Sequence, residues 1–307
     1  MLRIMLTGAS GQVGWALQSS LAILGQLTLF HRAQLDIGDA DAIRRAVRAL
    51  RPDLIVNAAG YTAVDQAETE PEVALRVNGN GPGILAEEAK HAGAALISFS
   101  SDYVFDGLAT QPYTEDAAPN PLSAYGRSKL AGDRAIAAVD GSYLIFRTSW
   151  IYCERGRNFL LTVLKLAKDR EEVRIVDDQV GAPTPSHVIA DAVAQIAAQA
   201  SALTDKHSLS DVLRERRGLY NLTCGGQVSW YGFAKEILRV FPPQRCPRLV
   251  PIPASEYPSA ARRPAFSVLS TQKLVSTIGF QPPHWEQALD RFAEHMRARS
   301  ISFEGSL

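Results

Sequence analysis

A run of glycines directly after the first apolar segment constrains the fold more than any other feature. Residues 7–17 read TGASGQVGWAL, which places Gly8, Gly11 and Gly14 at a spacing of three. The apolar segment before them, at 3–8, predicts a β-strand, and the segment after them, at 12–24, predicts an amphipathic helix. Glycine lets a chain turn tightly between two such elements and bring its backbone close to a ligand. The pattern predicts a strand–turn–helix unit with a backbone site for phosphate.

The rest of the first half repeats this alternation of short apolar runs and longer amphipathic stretches. The apolar runs are rich in Val, Ile and Leu without a polar alternation, which is typical of strands buried on both faces of a parallel sheet. The chain is therefore predicted to form an α/β fold, a Rossmann-like doubly wound parallel sheet. The predicted strands are 3–8, 26–31, 53–59, 95–101 and 143–149, and the predicted helices are 12–24, 39–50, 71–92 and 123–138.

The second half is less regular and predicts a smaller, mixed α/β domain. Proline-rich loops are expected at 241–253 and 282–283, and the polar span 201–217 predicts an exposed loop or a short surface helix. The predicted helices are 157–169, 186–200, one from about Ser229, and 284–298, and the predicted strands are 173–179 and 218–223.

Charge and composition exclude several classes of protein. The 307 residues carry 32 Lys+Arg and 32 Asp+Glu, so no net field attracts nucleic acid or an anionic membrane. No apolar run approaches the length of a membrane span, and no secretory leader is recognisable before the first strand. The three cysteines form no C-x-x-C motif. We expect a cytoplasmic protein that binds neither nucleic acid nor membrane.

The glycine turn predicts a dinucleotide cofactor, because the following helix offers free N–H groups and a positive dipole end to a pyrophosphate. NAD-preferring sites usually carry an acidic residue at the end of the second strand, whereas this chain has His31 and Arg32 there. Arg32 could hold a 2′-phosphate, which favours NADPH with NADH as a possible substitute; otherwise both side chains merely face solvent. Further predicted cofactor contacts are Asp36, Ile37, Ala58, Ala59, Gly60, Tyr61 and Thr62.

The segment YGRSK, at 125–129, places a phenol and an ammonium one helical turn apart on the same face. Alone, it is more typical of a solvated helix surface than of a catalytic site. Ser101 ends another predicted strand, and in a doubly wound sheet the carboxyl ends of the strands line the ligand crevice. Ser101, Tyr125 and Lys129 would then form a carbonyl-reducing site: Ser101 binds the substrate oxygen and Tyr125 delivers the proton. Lys129 binds the nicotinamide ribose and lowers the pKa of Tyr125.

In this order, the glycine turn, NAAG, Ser101 and Tyr125-x-x-x-Lys129 resemble an extended short-chain dehydrogenase/reductase. The resemblance narrows to the dTDP-4-dehydrorhamnose reductase family through segments from residue 3 to about residue 295. It implies NADPH-dependent reduction of the 4-keto group of dTDP-6-deoxy-L-lyxo-4-hexulose to dTDP-L-rhamnose, a precursor of cell-surface polysaccharide such as lipopolysaccharide. The matching segments are GQVGWALQ, RPDLIVNAAGYTAVDQAE, SSDYVFDG, YGRSKLAG, LIFRTSWIY, DDQVGAPT and ARRPAFSVL.

The resemblance also implies roles for individual residues. The cofactor loop maps to Gly11, Gln12 and Val13, and the proton donor maps to Tyr125. The contacts with the nucleotide-sugar map to Ser101, Asp102, Trp150, Asn158 and Arg263. Arg263 is the candidate for the diphosphate, since a guanidinium grips phosphate oxygens in pairs, and Asn158 is a candidate for the pyrophosphate or the base. The family commonly has threonine at the position of Ser101, and serine keeps the hydroxyl.

The same resemblance predicts residues 1–150 as an NADP-binding Rossmann domain, joined by later segments around 173–200. Residues 151–307 would form mainly a substrate-binding domain, interleaved with the first. Some members of the family form a dimer around magnesium held by glutamates. Here Ala16 and His187 replace two of them, while Glu286 could represent a third. Because magnesium requires several oxygen ligands, we expect no metal site, and either a monomer or a homodimer.

Two other functions remain open from the sequence. Reductase-like proteins also serve as non-catalytic, NADP-binding regulatory subunits, although the complete set of Ser101, Tyr125 and Lys129 argues against this. Another nucleotide-sugar reductase, an epimerase or a dehydratase would share much of the chain. A dehydratase typically has an Asp-Glu pair for which this chain has Asp102 followed by Tyr103.

Overall fold

The structure, a computed structural model, describes residues 1–203 and 208–298. The strands of this part of the chain are β1 (Leu2–Thr7), β2 (Gly25–Phe30), β3 (Leu54–Asn57), β4 (Ala95–Ser101), β5 (Tyr143–Thr148), β6 (Ile151–Tyr152), β7 (Glu172–Val176), β8 (Val180–Gly181), β9 (Thr184–Pro185), β10 (Gly218–Asn221), β11 (Val228–Ser229) and β12 (Arg248–Ile252). Its α-helices are α1 (Gln12–Ala22), α2 (Ala40–Leu50), α3 (Pro71–Leu75), α4 (Gly81–Ala92), α5 (Ala124–Ala138), α6 (Phe159–Asp169), α7 (Ser186–Ala202), α8 (Leu209–Arg214), α9 (Trp230–Val240), α10 (Gln272–Ile278) and α11 (Trp285–Ala298).

A six-stranded sheet in the order β2–β1–β3–β4–β5–β10 forms the centre of the fold, with every neighbouring pair parallel. Strand β2 pairs with one side of β1, and β3 pairs with the other side, so the strand order reverses at β1. In such sheets the loops separate at the reversal and leave a crevice beyond the carboxyl ends of the strands. The predicted Rossmann-like doubly wound α/β fold is confirmed.

Helices cover both faces of this sheet because its strands are apolar on both sides. Ile4 and Leu6 of β1 face a core completed by α1, α7, α8 and α10. Met5 faces the opposite core, which α2, α4 and α5 complete. The second half of the chain therefore supplies β10 and three helices to the cores of the central sheet. Over 209–214, the polar span folds as α8, which buries Leu209 and Leu213.

The remaining elements build a second core around α6, α9 and α11, with Tyr152, Phe233 and Trp285 among its buried side chains. The prediction of an irregular loop over 241–253 is wrong in its last part, because β12 pairs in parallel with β7. Pro251 lacks an N–H, but this two-stranded pairing leaves each strand with a free edge, where proline is tolerated. In the part of the chain that the structure describes, no helix combines the length and the apolar character needed to cross a membrane.

Candidate active site

The crevice at the carboxyl ends of β1 and β3 is built from backbone packed against backbone. Gly8 adopts a φ of 67°, and a Cβ on it would lie 2.4 Å from the Ala59 nitrogen. A Cβ on Gly14 would lie 2.1 Å from the Gly8 carbonyl oxygen. Helix α1 begins at Gln12, so its unpaired N–H groups open onto this crevice. We call the Gly8–Gly14 turn and the facing segment 57–62 the cofactor edge. Its glycine cradle and helix N-terminus fit a dinucleotide pyrophosphate.

The remaining predicted cofactor residues lie beside this edge. The Ala9 amide donates to the carbonyl of Phe30, the last residue of β2, at 3.2 Å. This bond places the next residues, His31 and Arg32, beside the glycine turn, and both are exposed. Asp36 is exposed as well, and its carboxylate accepts from the Gly38 amide at 2.8 Å. The side chains of Val13 and Ile37 are buried in the two cores of the central sheet. These two residues could therefore contact a cofactor only through their backbone.

Asn78 fixes the segment 57–62 from below. It lies in a single π-helical turn, Arg76–Asn80, that joins α3 to α4. Its side-chain oxygen accepts from the Tyr61 amide at 2.8 Å, and its nitrogen donates to the Tyr61 carbonyl at 2.9 Å and to the Ser128 hydroxyl at 3.0 Å. The sequence did not point to Asn78, because 71–92 was predicted as one regular helix. The available signal was an asparagine next to Gly79 on an otherwise apolar face of that helix.

The structure brings Ser101, Tyr125 and Lys129 together above β4. Ser123 caps α5 by accepting from the Gly126 amide at 3.1 Å, which fixes the turn that carries Tyr125. The phenol is within hydrogen-bonding reach of the Ser101 hydroxyl. One turn further, the Lys129 ammonium donates to the Phe99 carbonyl at 2.7 Å. A Cβ on Gly60 would lie 3.6 Å from that ammonium, so the lysine also borders the cofactor edge.

Burial dominates the pKa values of this group. It raises the pKa of Tyr125 to about 12, which the Ser101 hydrogen bond partly opposes. It lowers the pKa of Lys129 to about 8, against the attraction of the Asp133 carboxylate. The expectation that Lys129 depresses the tyrosine pKa is therefore wrong for this structure, because desolvation outweighs it and the ammonium is directed at the Phe99 carbonyl. The phenol stays protonated at neutral pH, as a proton donor must.

A buried ion pair lies beneath these residues. Arg147 donates to Asp133 at 3.2 Å, with both side chains almost fully buried, and Asp133 also interacts with Lys129 one turn earlier on α5. The Arg147 guanidinium lies 5.1 Å from the centre of the Phe105 ring. Asp133 was not identified from the sequence, although its i+4 spacing from Lys129 was a visible signal.

A cavity of about 690 Å³ opens beside the second core, and we call it the substrate cavity. Aromatic side chains line one part of it and arginines another: Phe159, Trp230, Tyr257, Arg174, Arg262 and Arg263. Trp150 is half-buried and stacked on Trp230, with ring centres 3.4 Å apart, and it adopts a left-handed φ of 46°. A non-glycine residue rarely adopts that conformation unless its surroundings enforce it.

Arg263 connects the substrate cavity to the catalytic group. Its guanidinium donates to the Asp65 carboxylate at 2.8 Å and to the Ser259 hydroxyl. It also interacts electrostatically with the Tyr103 phenol. The Tyr103 ring packs edge-on against Tyr125, with ring centres 5.6 Å apart. The candidate phosphate residue and the candidate acid are thus separated by one aromatic side chain.

Two further candidates differ in how they are engaged. Asp102 is buried beside Ser101, whose hydroxyl donates to it at 3.0 Å, and burial raises its pKa to about 6. Asn158 caps α6 by accepting from the Leu161 amide at 3.0 Å, and it donates to the Gln12 side chain at 2.9 Å. The amide of Asn158 is therefore already bonded to the protein and ties α6 to the cofactor edge.

The positions compared with the family's magnesium site are engaged elsewhere. Ala16 is buried in the core beneath the sheet. His187 faces Glu154 at 3.6 Å, and Glu286 faces His284 at 3.4 Å. Among the described residues, no group of three or more His, Cys, Asp or Glu side chains is arranged to hold a metal ion.

Sequence comparison identifies close relatives of the chain. A family model described as "RmlD substrate binding domain" matches residues 2–298. A dTDP-4-dehydrorhamnose reductase of Burkholderia thailandensis is 45% identical over 300 residues, which cover 94% of this chain and 97% of the relative. A protein of the same name from Escherichia coli K12 is 39% identical, with 96% of this chain and 98% of the relative covered.

Structural comparison gives the same result. The crystal structure of a dTDP-4-dehydrorhamnose reductase from Clostridium acetobutylicum superposes with a TM-score of 0.87 at 34% identity, covering 96% of this chain and 99% of that one. The Bacillus anthracis protein of that name, solved in complex with NADP, superposes with a TM-score of 0.85 at 33% identity, with the same coverage. The chain belongs to the dTDP-4-dehydrorhamnose reductases, a family of NAD(P)H-dependent oxidoreductases.

Proposed function

We propose that this protein reduces the 4-keto group of dTDP-6-deoxy-L-lyxo-4-hexulose to give dTDP-L-rhamnose, with Tyr125 as the proton donor. The observation that carries the proposal is the buried, protonated Tyr125 phenol beside the Ser101 hydroxyl, at the carboxyl edge of the sheet. The names of the relatives and the nucleotide-sugar size of the substrate cavity support this substrate class.

The chain's own residues account for binding and proton transfer. Ser101 turns its hydroxyl proton from Asp102 to the keto oxygen, and Tyr125 transfers its phenolic proton to that oxygen as negative charge develops on it. When bound, the nicotinamide supplies the hydride. Lys129 borders the cofactor edge and contacts the nicotinamide ribose, while Asp133 keeps positive charge near Tyr125.

Recognition of the two ligands divides between the two halves of the site. The cofactor edge, with Gln12 at the start of α1, binds the dinucleotide, and Arg32 favours NADPH over NADH. We place the diphosphate at Arg263 and the sugar between Asp102 and Trp150, with the base beyond Arg263 in the aromatic part of the substrate cavity. Residues 1–150 with β10 and α7 would form the cofactor unit, and most of 151–307 the substrate unit.

We further propose that the enzyme acts in the cytoplasm as a monomer or homodimer and uses no structural magnesium. Ala16 and His187 would remove two of the carboxylates on which such a metal depends.

A direct assay tests the proposal. The purified protein, mixed with NADPH and dTDP-6-deoxy-L-lyxo-4-hexulose, should consume NADPH and form dTDP-L-rhamnose. A folded protein that binds NADPH but does not consume it would instead support the second candidate, a non-catalytic regulatory subunit. Tyr125→Phe should bind NADP⁺ like the wild type and lower kcat by about 10²–10⁴-fold, because only the proton donor is removed. An unchanged kcat would exclude Tyr125 as the acid.

A further inference from the structure

Asp65 joins the two ligand sites through one carboxylate. It accepts from the Ser259 hydroxyl at 2.9 Å, from the Ala261 amide at 3.0 Å and from Arg263 at 2.8 Å. All three donors belong to the segment 259–263, which lines the substrate cavity. Asp65 itself belongs to the first half of the chain, 194–198 residues away. The carboxylate therefore holds one wall of the cavity from outside the second core.

The other end of this connection is the cofactor edge. Asp65 stands three residues after Thr62, the last residue of the segment 57–62. That segment is fixed on one side by Asn78 and faces Gly8 on the other. A dinucleotide lying between Gly8 and Gly60 would fix the segment further, and with it the position of the Asp65 carboxylate. Only residues 63 and 64 separate the cofactor edge from Asp65, the partner of Arg263.

The orientation of Arg263 depends on these contacts. Its side chain is only 22% exposed, and Asp65 and Ser259 hold separate nitrogens of its planar guanidinium. A guanidinium bound in this way is aimed before the ligand arrives, which reduces the ordering cost of binding. Without Asp65, the arginine would keep its charge and lose its direction.

We propose that Asp65 is a positioning residue that couples the two binding events: an occupied cofactor edge holds Asp65, and Asp65 aims Arg263 at the diphosphate of the nucleotide-sugar. The inference rests on the proposed function, since it takes the diphosphate to bind at Arg263. Bound dinucleotide should then tighten the binding of a nucleoside diphosphate. Linkage requires the reverse effect to be equal, so the nucleoside diphosphate should tighten dinucleotide binding by the same factor.

A second ion pair at the cavity provides a matched control. Arg174 also lines the substrate cavity, and its guanidinium pairs with Glu256. Both of these residues lie in the second half of the chain, on β7 and just after β12. Glu256→Gln thus removes a carboxylate beside a cavity arginine without touching the cofactor edge.

The test measures binding alone, by titration calorimetry of dTDP with and without saturating NADP⁺. For the wild type we expect roughly fivefold or greater tightening by NADP⁺, within the usual range of coupling between sites. Asp65→Asn should bind dTDP equally with and without NADP⁺, whereas Glu256→Gln should keep the wild-type ratio. Titrating NADP⁺ in the presence and absence of dTDP should give the same ratio for each protein.

No coupling in the wild type, or equal coupling in the wild type and Asp65→Asn, overturns the proposal. If Asp65→Asn does not fold, Ser259→Ala decides: it keeps the carboxylate but removes a hydroxyl that contacts both Asp65 and Arg263. A reduced ratio in Ser259→Ala supports the proposal, and a wild-type ratio overturns it. Turnover of the keto-sugar by the wild type is measured separately, so a failure of the proposed reaction is distinguished from a failure of the coupling.

Discussion

The cofactor edge and the substrate cavity recognise ligands in different ways. At the cofactor edge, Gly8 and Gly14 bring backbone within contact distance of backbone, and a helix N-terminus supplies the polar groups. In the substrate cavity, side chains from distant segments supply the surface, and both arginines and aromatic rings belong to it. The first site depends on the absence of side chains, and the second depends on which side chains are present and on what holds them.

This difference predicts how each site responds to mutation. At the cofactor edge the damaging change is an added atom, because backbone has no alternative conformation to adopt. In the substrate cavity we expect the damaging change to be a removed or redirected group, because the proposed binding relies on charged and aromatic side chains. The four changes below test this contrast.

The largest effect is expected from Gly8→Ala. The new methyl group would lie 2.4 Å from the Ala59 nitrogen, and the residue would have to keep a φ of 67°. Strain and overlap together should lower the free energy of unfolding by about 2–6 kcal/mol. Affinity for NADP⁺ should fall by at least about tenfold, since the two sides of the edge must separate. Chemical denaturation and NADP⁺ titration measure the two effects.

Gly93→Ala is the control for this change. Gly93 has a nearly identical φ of 68° at the end of α4, but a Cβ there would meet no atom within 4 Å. Its substitution should cost only the conformational strain, about 1–2 kcal/mol, and leave NADP⁺ affinity unchanged. Equal losses in the two variants would show that close backbone packing does not matter at the cofactor edge.

The same contrast explains how far the sequence could predict the molecule. The cofactor edge is encoded locally: the glycine spacing, the strand before it and the helix after it lie within about 20 residues. Likewise, the segment YGRSK places Tyr125 and Lys129 on one face of a helix through their spacing alone. For this reason, the alternating elements of the first half agree with the structure to within a few residues, and Ser101, Tyr125 and Lys129 meet as expected.

The substrate cavity could not be predicted in the same way. Its walls come from α6, β7, α9 and the segment 254–263, which adjoin only in the folded chain. Asp65, the partner of Arg263, is 198 residues away. The error over Lys129 has the same origin, since the spacing shows that two side chains are neighbours but not how much solvent either one loses. β12 was missed because its pairing with β7 is a tertiary contact.

The second effect is expected from Arg263→Lys in the cavity. Lysine keeps the charge but cannot hold Asp65 and a phosphate oxygen with separate nitrogens of one plane. The KM for the nucleotide-sugar should rise by about 10–100-fold, corresponding to lost charged hydrogen bonds. The affinity for NADP⁺ alone should not change, because the arginine lies outside the cofactor edge. Steady-state kinetics and NADP⁺ titration test both statements.

Arg248→Lys serves as the matched control. Arg248 on β12 is exposed and pairs with Glu172, and it does not belong to the lining of the substrate cavity. Its substitution should leave KM and kcat unchanged. A wild-type KM in Arg263→Lys would place the diphosphate elsewhere in the cavity.

The third change tests Asp102, a carboxylate that is buried beside Ser101. The glycine turn of the cofactor edge contains no such group. Burial raises the pKa of Asp102 to about 6, above its value in the unfolded chain. Between about pH 4 and pH 6 the unfolded chain loses this proton first, so the group's contribution to stability is lost as the pH rises. Asp102→Asn cannot ionise and should gain about 2–3 kcal/mol in unfolding free energy relative to the wild type from pH 4 to pH 7.

Asp106→Asn should show the opposite dependence on pH. The Leu108 amide donates to Asp106 and holds the pKa of this carboxyl below its usual range. Its charge stabilises the folded protein above the unfolded pKa, and that stability is lost as the pH falls. Thermal unfolding of Asp102→Asn between about pH 4 and pH 7, and of Asp106→Asn below about pH 4, measures the two signs. A shared sign would contradict the assignment of burial as the dominant effect at Asp102.

The smallest effect is expected from Arg32→Ala, which removes an exposed side chain beside the cofactor edge. Arg32 is exposed, so its attraction to a 2′-phosphate is weakened by solvent, and the preference for NADPH over NADH should fall by only about fivefold. Raising the salt concentration should reduce the wild-type preference and leave that of the variant unchanged, because salt screens exposed charges. Arg134→Ala, an exposed arginine on α5, is the control. An unchanged preference in Arg32→Ala would show that Arg32 does not hold the 2′-phosphate.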